Sequence, residues 1–153
     1  MSTTSNSPLV GFAAGFLSHL VFQGALGTVL YAAWLLPALP WRFTPTEPLG
    51  VPHTLSLAFW AGLWGIAYAL AEPWISARLG RWKGGLLFAY LLPLQTHWFI
   101  AQPLKGFGIG GGFHAAVIPI ELAFTAAFGL GLVFFLRAGT ALAGRRGGAA
   151  LQG

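Results

Sequence analysis

A chain of 153 residues, 56% of them hydrophobic and only 7% charged, cannot keep its apolar side chains from water by folding on itself, since an ordinary soluble domain carries roughly a quarter charged residues. The formal net charge of +5 comes from Lys and Arg scattered between long apolar runs, without the basic face or base-stacking module that a nucleic-acid partner requires. With no Cys in the chain, disulfides, iron–sulfur clusters, thiolate zinc and covalent cysteine chemistry are excluded.

Met1 to Pro8 is polar and lacks the basic start of a signal peptide. The first apolar run therefore reads as a retained helix, with Ala32 and Ala33 leaving a loose cleavage pattern as the alternative. Four stretches approach the roughly 20 apolar residues that cross the hydrocarbon core: about 9–36, 51–71, 85–102 and 113–136. Backbone amides find no water in lipid, so such runs form helices or a closed barrel, and their lack of alternation selects helices. The expected fold is an all-α membrane protein, a bundle of four transmembrane helices. A polar segment (1–8) precedes the membrane domain (9–137), and an Ala-, Gly- and Arg-rich tail (138–153) reads as disordered and cytoplasmic.

The connections carry strong breakers. Pro37, Pro40, Pro45, Pro48 and Pro52 crowd the first loop, where fixed φ and missing amides end one helix and delay the next. The second loop, around Pro73 to Gly84, holds Arg78, Arg81 and Lys83, and the third, Lys105 to Gly112, is mostly glycine. Its GxG pattern lacks the preceding strand that nucleotide binding requires. Grouping the N-terminus, second loop and tail puts Arg78, Arg81, Lys83, Arg137, Arg145 and Arg146 on one side, leaving Arg42 and Lys105 opposite. The positive-inside tendency then places both termini in the cytoplasm. Trp34, Trp41 and Trp98 fall near the outer interface and Trp74 and Trp82 near the inner one, as amphipathic rings prefer. Small residues recur every fourth position at Gly11 and Gly15, at Ala58 and Gly62, and at Ala123, Ala127 and Gly131, which predicts close helix packing.

Ionisable groups within such spans are few and costly. At 1.5 Å per residue, His97 and Glu121 each lie roughly 9–10 Å inward from the outer ends of their helices, each after a proline, Pro93 and Pro119. The sequence suggests an outward-facing ligand or ion pocket lined by Trp60, Gln95, His97 and Glu121, with Gln23 as its floor and His53, Gln102, Lys105 and His114 around its mouth. A His–Glu pair clamping two helices would account for the same central residues. His19 and Gln23, one turn apart, read as an interhelical hydrogen-bonding pair.

Bis-histidine haem would need His19 and His97 at matching depth, which their positions oppose. The outer histidines lack helical metal-ligand spacing, so neither metal nor other cofactor is expected. Ser18 and Ser56 lie in no elbow motif and the chain contains no Asp, so no catalytic residue is assigned. Trp60 and Trp64 read as packing bulk rather than a ligand cage. Glu72 is expected to form a solvated pair with Arg78 or Arg81.

The run PLGVPHTLSLAFWAGLWGIAYAL from Pro48 to Leu70, GFAAGFLSHLVFQGAL in the first helix and QPLKG after the third resemble a group of small bacterial four-helix inner-membrane proteins. The resemblance implies a bacterial inner-membrane location and transfers no activity, cofactor or residue role. The expectation is a non-enzymatic accessory or scaffold subunit, in contact with membrane lipids and with other membrane proteins or copies of itself. A small-solute or proton transporter using the His97 and Glu121 pocket is the alternative.

Overall fold

The computed structural model describes residues 7–47 and 49–150, with side chains through Arg145. The architecture is all-α. Helix α1 spans Pro8–Ala32, α2 His53–Leu79, α3 Arg81–Leu91, α4 residues 93–104 and α5 Ile118–Ala150. A short antiparallel pair, β1 (Pro45–Thr46) with β2 (Val51–Pro52), closes a hairpin before α2. Among the described residues three helices are long and apolar enough to cross a membrane: Pro8–Ala32, His53–Leu79 and Ile118–Arg145.

The helix limits follow from local chemistry and move several predicted boundaries. Pro8 opens α1, where a missing amide removes no helical bond. The helix stops at Ala32, short of the expected 36, and Trp34 takes a left-handed backbone with φ 61°. Pro73 lies inside α2 without ending it, and α2 continues to Leu79. The predicted second loop therefore shrinks to Gly80, whose φ of 74° turns the chain directly into α3. Between α3 and α4, Leu92 leaves helical geometry at φ −114° and ψ −70°. Pro93 lacks the amide to continue the ladder and crowds the preceding turn. The last helix begins at Ile118 and not near the expected 113, so Pro119 sits in its first turn and opens it. The segment expected to be a disordered tail is helical to Ala150, in keeping with its alanine and arginine content.

Neighbouring helices pack antiparallel, and glycine sets how closely. Gly11 and Gly15 of α1 face Gly65, Ala61 and Ala69 of α2, and a β-carbon on Gly11 would sit 2.6 Å from the Ala69 β-carbon. On α2, Gly62 receives the Phe12 ring, while Gly131 of α5 receives Ser18 and Phe22. The small-residue stripes therefore serve contacts within the chain. The core lies where α2, α3 and α5 meet. Tyr68 and Leu132 there are fully buried, and the Tyr68 and Phe88 rings stand 5.1 Å apart between centroids.

Two helices contain a widened turn, over Ser18–Gln23 in α1 and His97–Ala101 in α4. In α1 the Gly24 amide reaches back to His19 O and Val21 O and passes over Leu20 O. That carbonyl accepts from Trp41 Nε1 at 3.3 Å, so an indole from the following loop replaces the bond the wide turn omits. The loop is fastened again where the Arg42 amide donates to Thr54 Oγ1 at 2.7 Å, and Thr54 Oγ1 donates to Arg42 O at 3.0 Å.

Candidate functional site

The main polar constellation forms where α4, the glycine loop and the start of α5 converge. The chain needs glycine here. Gly106, Gly108, Gly110, Gly111 and Gly112 all have positive φ, a region open to glycine without a β-carbon clash. Phe113 comes next in the left-handed region at φ 49°, uncommon for a bulky residue. Its ring packs edge-on to Trp98 at 5.4 Å and against Phe99 at 6.3 Å, contacts that pin the loop to α4.

Glu121 lies in the first turn of α5. Its carboxylate oxygen Oε2 accepts from Trp98 Nε1 at 2.7 Å, a short bond across two helices. Oε1 has longer neighbours, Gln102 Nε2 at 3.5 Å and His97 Nε2 at 3.5 Å. Gln102 Nε2 also stands 3.1 Å from His97 Nε2. The Glu121 side chain is 17% exposed and that of His97 44%, so the carboxylate is sheltered while the imidazole faces outward. Beside them opens a cleft of ≈ 320 Å³ lined by Gln102, Phe107, Gly110, Gly111, His114, Val117, Ile118 and Glu121. Gly111 is needed here for its backbone, at φ 58°, while a β-carbon would meet Gln102 Nε2 at an ordinary 3.4 Å.

Of the residues singled out in the sequence, His97, Glu121, Gln102 and His114 come together here. The others do not. Gln95 turns back on its own chain and donates to Tyr90 O at 3.1 Å. Residues two apart on a helix point to different sides, so Gln95 and His97 cannot line one pocket. Trp60 is 60% exposed on α2 and meets Phe59 edge-on. Gln23 does not floor the cleft: its Nε2 donates to Phe124 O at 3.0 Å and its Oε1 accepts from His19 Nδ1 at 2.6 Å. His53 heads α2 beside the loop fastening, its amide bonded to Thr44 O at 3.0 Å. Lys105 is exposed just beyond α4 and does not line the cleft. Near the opposite ends of the helices, Glu72 pairs with Arg81 at 3.8 Å and accepts from Ser76 Oγ at 2.7 Å.

Sequence reasoning missed Trp98, Phe107 and Gly111 as members of the site. The signal for Trp98 was present, because an indole N–H in apolar surroundings seeks an acceptor and Glu121 is the one acidic residue in the C-terminal half of the chain. Replacing Trp98 with Phe keeps most of the ring but leaves the sheltered carboxylate without its short donor. The expected result is a loss of about 2 kcal/mol, read as a lower unfolding midpoint in detergent; an unchanged midpoint would show that the bond does not hold the two helices.

Chemically the arrangement offers an acceptor-rich cleft at one end of the molecule. Among the described residues no group of three or more His, Cys, Asp or Glu is placed to hold a metal ion. No protein-family model, curated protein or solved structure matches the chain.

Proposed function

We propose that this protein crosses the bacterial inner membrane four times, with both termini in the cytoplasm, and serves as a non-catalytic accessory or scaffold subunit packed against other membrane proteins or copies of itself. The supporting observation is how its interior polar groups are engaged. Ser18 Oγ donates to Phe128 O at 2.7 Å, Gln23 Nε2 to Phe124 O at 3.0 Å and Tyr90 OH to Leu122 O at 2.9 Å. Each ties one helix to its neighbour. Among the described residues no buried side-chain nitrogen or oxygen lacks a partner, in keeping with polar groups that serve packing between helices.

The fourth crossing is the broken column of α3 and α4. Residues 81–104 cover about 36 Å at the helical rise, enough for the hydrocarbon core despite the bend at Leu92. With this crossing, Arg78, Arg81, Lys83, Arg137, Arg145 and Arg146 share the cytoplasmic side. Reporter fusions should place Gly80 and the C-terminus inside, and loops 33–52 and 105–117 outside. Gentle extraction should yield an assembly larger than one chain. A lone monomer with no accompanying protein would remove the subunit reading, and reporters placing Arg42 and Arg81 in one compartment would remove the topology.

A second reading, a small-solute or proton transporter, draws support from the open cleft beside His97 and Glu121. It requires solute or proton flux in reconstituted vesicles, lost on Glu121→Gln.

A further inference from the structure

We propose that the cleft under the glycine loop is a binding site for a primary ammonium group, held on Oε1 of Glu121. The proposal uses the pocket of the second reading but not its transport. Charge comes first. A carboxylate at 17% exposure has lost most of its hydration and needs compensation from donors or a cation. Trp98 supplies one short bond to Oε2, but an indole carries no charge. Among the described residues Oε1 has the Gln102 and His97 nitrogens as neighbours, each at 3.5 Å.

His97 is the obvious counter-charge, and its hydrogen bonding argues against that role. The Gln102 amide nitrogen, 3.1 Å from His97 Nε2, can donate but cannot accept. For that bond to form, Nε2 must be the unprotonated acceptor, with the ring proton on Nδ1. Nε2 then has nothing to give to Glu121. Turning the Gln102 amide over would set its oxygen against the carboxylate at the same 3.5 Å, so the orientation in which the amide donates to both neighbours is favoured. Among the described residues neither Lys nor Arg forms an ion pair with Glu121. The carboxyl group is left sheltered and open on one side to a cleft.

The cleft matches an ammonium group in chemistry and size. Three N–H donors on one nitrogen need several acceptors, and the cleft is lined by three residues that carry them: Glu121, His114 and Gln102. The Gln102 amide lies beside the glycine loop, its oxygen 3.8 Å and its nitrogen 3.4 Å from where a β-carbon on Gly111 would be. Phe107 adds an aromatic ring for the positive charge, and Val117 and Ile118 line an apolar wall for attached methylenes. The ≈ 320 Å³ accepts more than a bare ammonium ion. Two sources share this chemistry, a free alkylamine entering from water and the ammonium end of an ethanolamine phospholipid in the leaflet.

The full chain, reconstituted in phosphatidylcholine bilayers, is titrated with methylammonium and, in a parallel arm, with tetramethylammonium. The lipid arm asks by native mass spectrometry which lipid stays bound after purification from equal amounts of phosphatidylethanolamine and phosphatidylcholine. The expected result is saturable binding of the primary ammonium form in at least one arm, with no competition from the quaternary form, and roughly tenfold or more weakening in Glu121→Gln, the loss of a charge-assisted bond. The responding arm identifies the source. Comparing primary with quaternary groups on the wild-type protein needs no variant, so misfolding of Glu121→Gln cannot hide the answer. Equal retention of both head groups together with no methylammonium binding would overturn the proposal, as would binding unchanged in a folded Glu121→Gln protein. Methylammonium flux across the same bilayers separates the two ideas: Glu121-dependent binding without Glu121-dependent flux keeps the site and removes the transporter.

Discussion

Replacing Tyr68 with alanine should lower stability by about 3 kcal/mol, seen as an early unfolding midpoint when the purified protein is titrated with a denaturing detergent. Tyr68 is fully buried where α2, α3 and α5 meet, packed on Phe88. Its removal opens a void that Leu132 and Val133, themselves almost completely buried, cannot fill without leaving their own contacts. The value sits at the lower end of aromatic-to-alanine losses because helices separated in lipid still contact apolar chains, so dispersion and cavity terms dominate over transfer from water. Tyr68→Phe gives the comparison. The hydroxyl makes a long 3.4 Å bond to Arg81 O and also meets the Ser76 side chain, so this variant should cost about 1 kcal/mol, well short of the alanine variant. If Tyr68→Ala behaved the same way, the position of the core would be wrong.

Gly65→Val should be nearly as damaging, about 3 kcal/mol, at the top of the usual range for overpacking. A β-carbon at Gly65 would overlap the Gly11 carbonyl oxygen and lie 2.8 Å from Gly15 N and 2.9 Å from Gly15 Cα. All three atoms belong to the α1 backbone, so no rotamer change relieves the clash and the helices must separate. Gly144→Val provides the control, since nothing lies within 4 Å of a β-carbon there; it should alter stability by no more than about 0.5 kcal/mol. Equal tolerance of both substitutions would show that α1 and α2 are not in close contact.

The helical character of this chain could be read from its apolar runs, but the third span, expected unbroken over 85–102, divides at Leu92. Other boundaries needed tertiary information. Whether Pro73 ends α2 depends on what surrounds it, and whether Pro119 bends or begins a helix depends on where α5 starts. The site was legible in depth but not in direction. Distance along the helices paired His97 with Glu121, and the structure places Nε2 and Oε1 3.5 Å apart, although Glu121 lies in the first turn of α5 and not the expected distance of about 10 Å inward. Angular position was the missing quantity. Gln95, Gln23 and Trp60 have comparable axial positions but point at Tyr90 O, at Phe124 O and away from the core. Each residue added to a turn rotates the remainder of the helix by about 100°, so the widened turns, which no residue type announces, alter which side chains share a face.

The wide turn in α1 has such a rotational consequence. Before it, Gly11 and Gly15 address α2; within it, Ser18 and Gln23 address α5. One surplus residue changes which side of the rod meets α5 along its length, like a key cut on two edges. Deleting one residue between Ser18 and Gln23 would restore a uniform spiral and misalign one edge against its lock, leaving the Trp41 indole with no vacant carbonyl to grip.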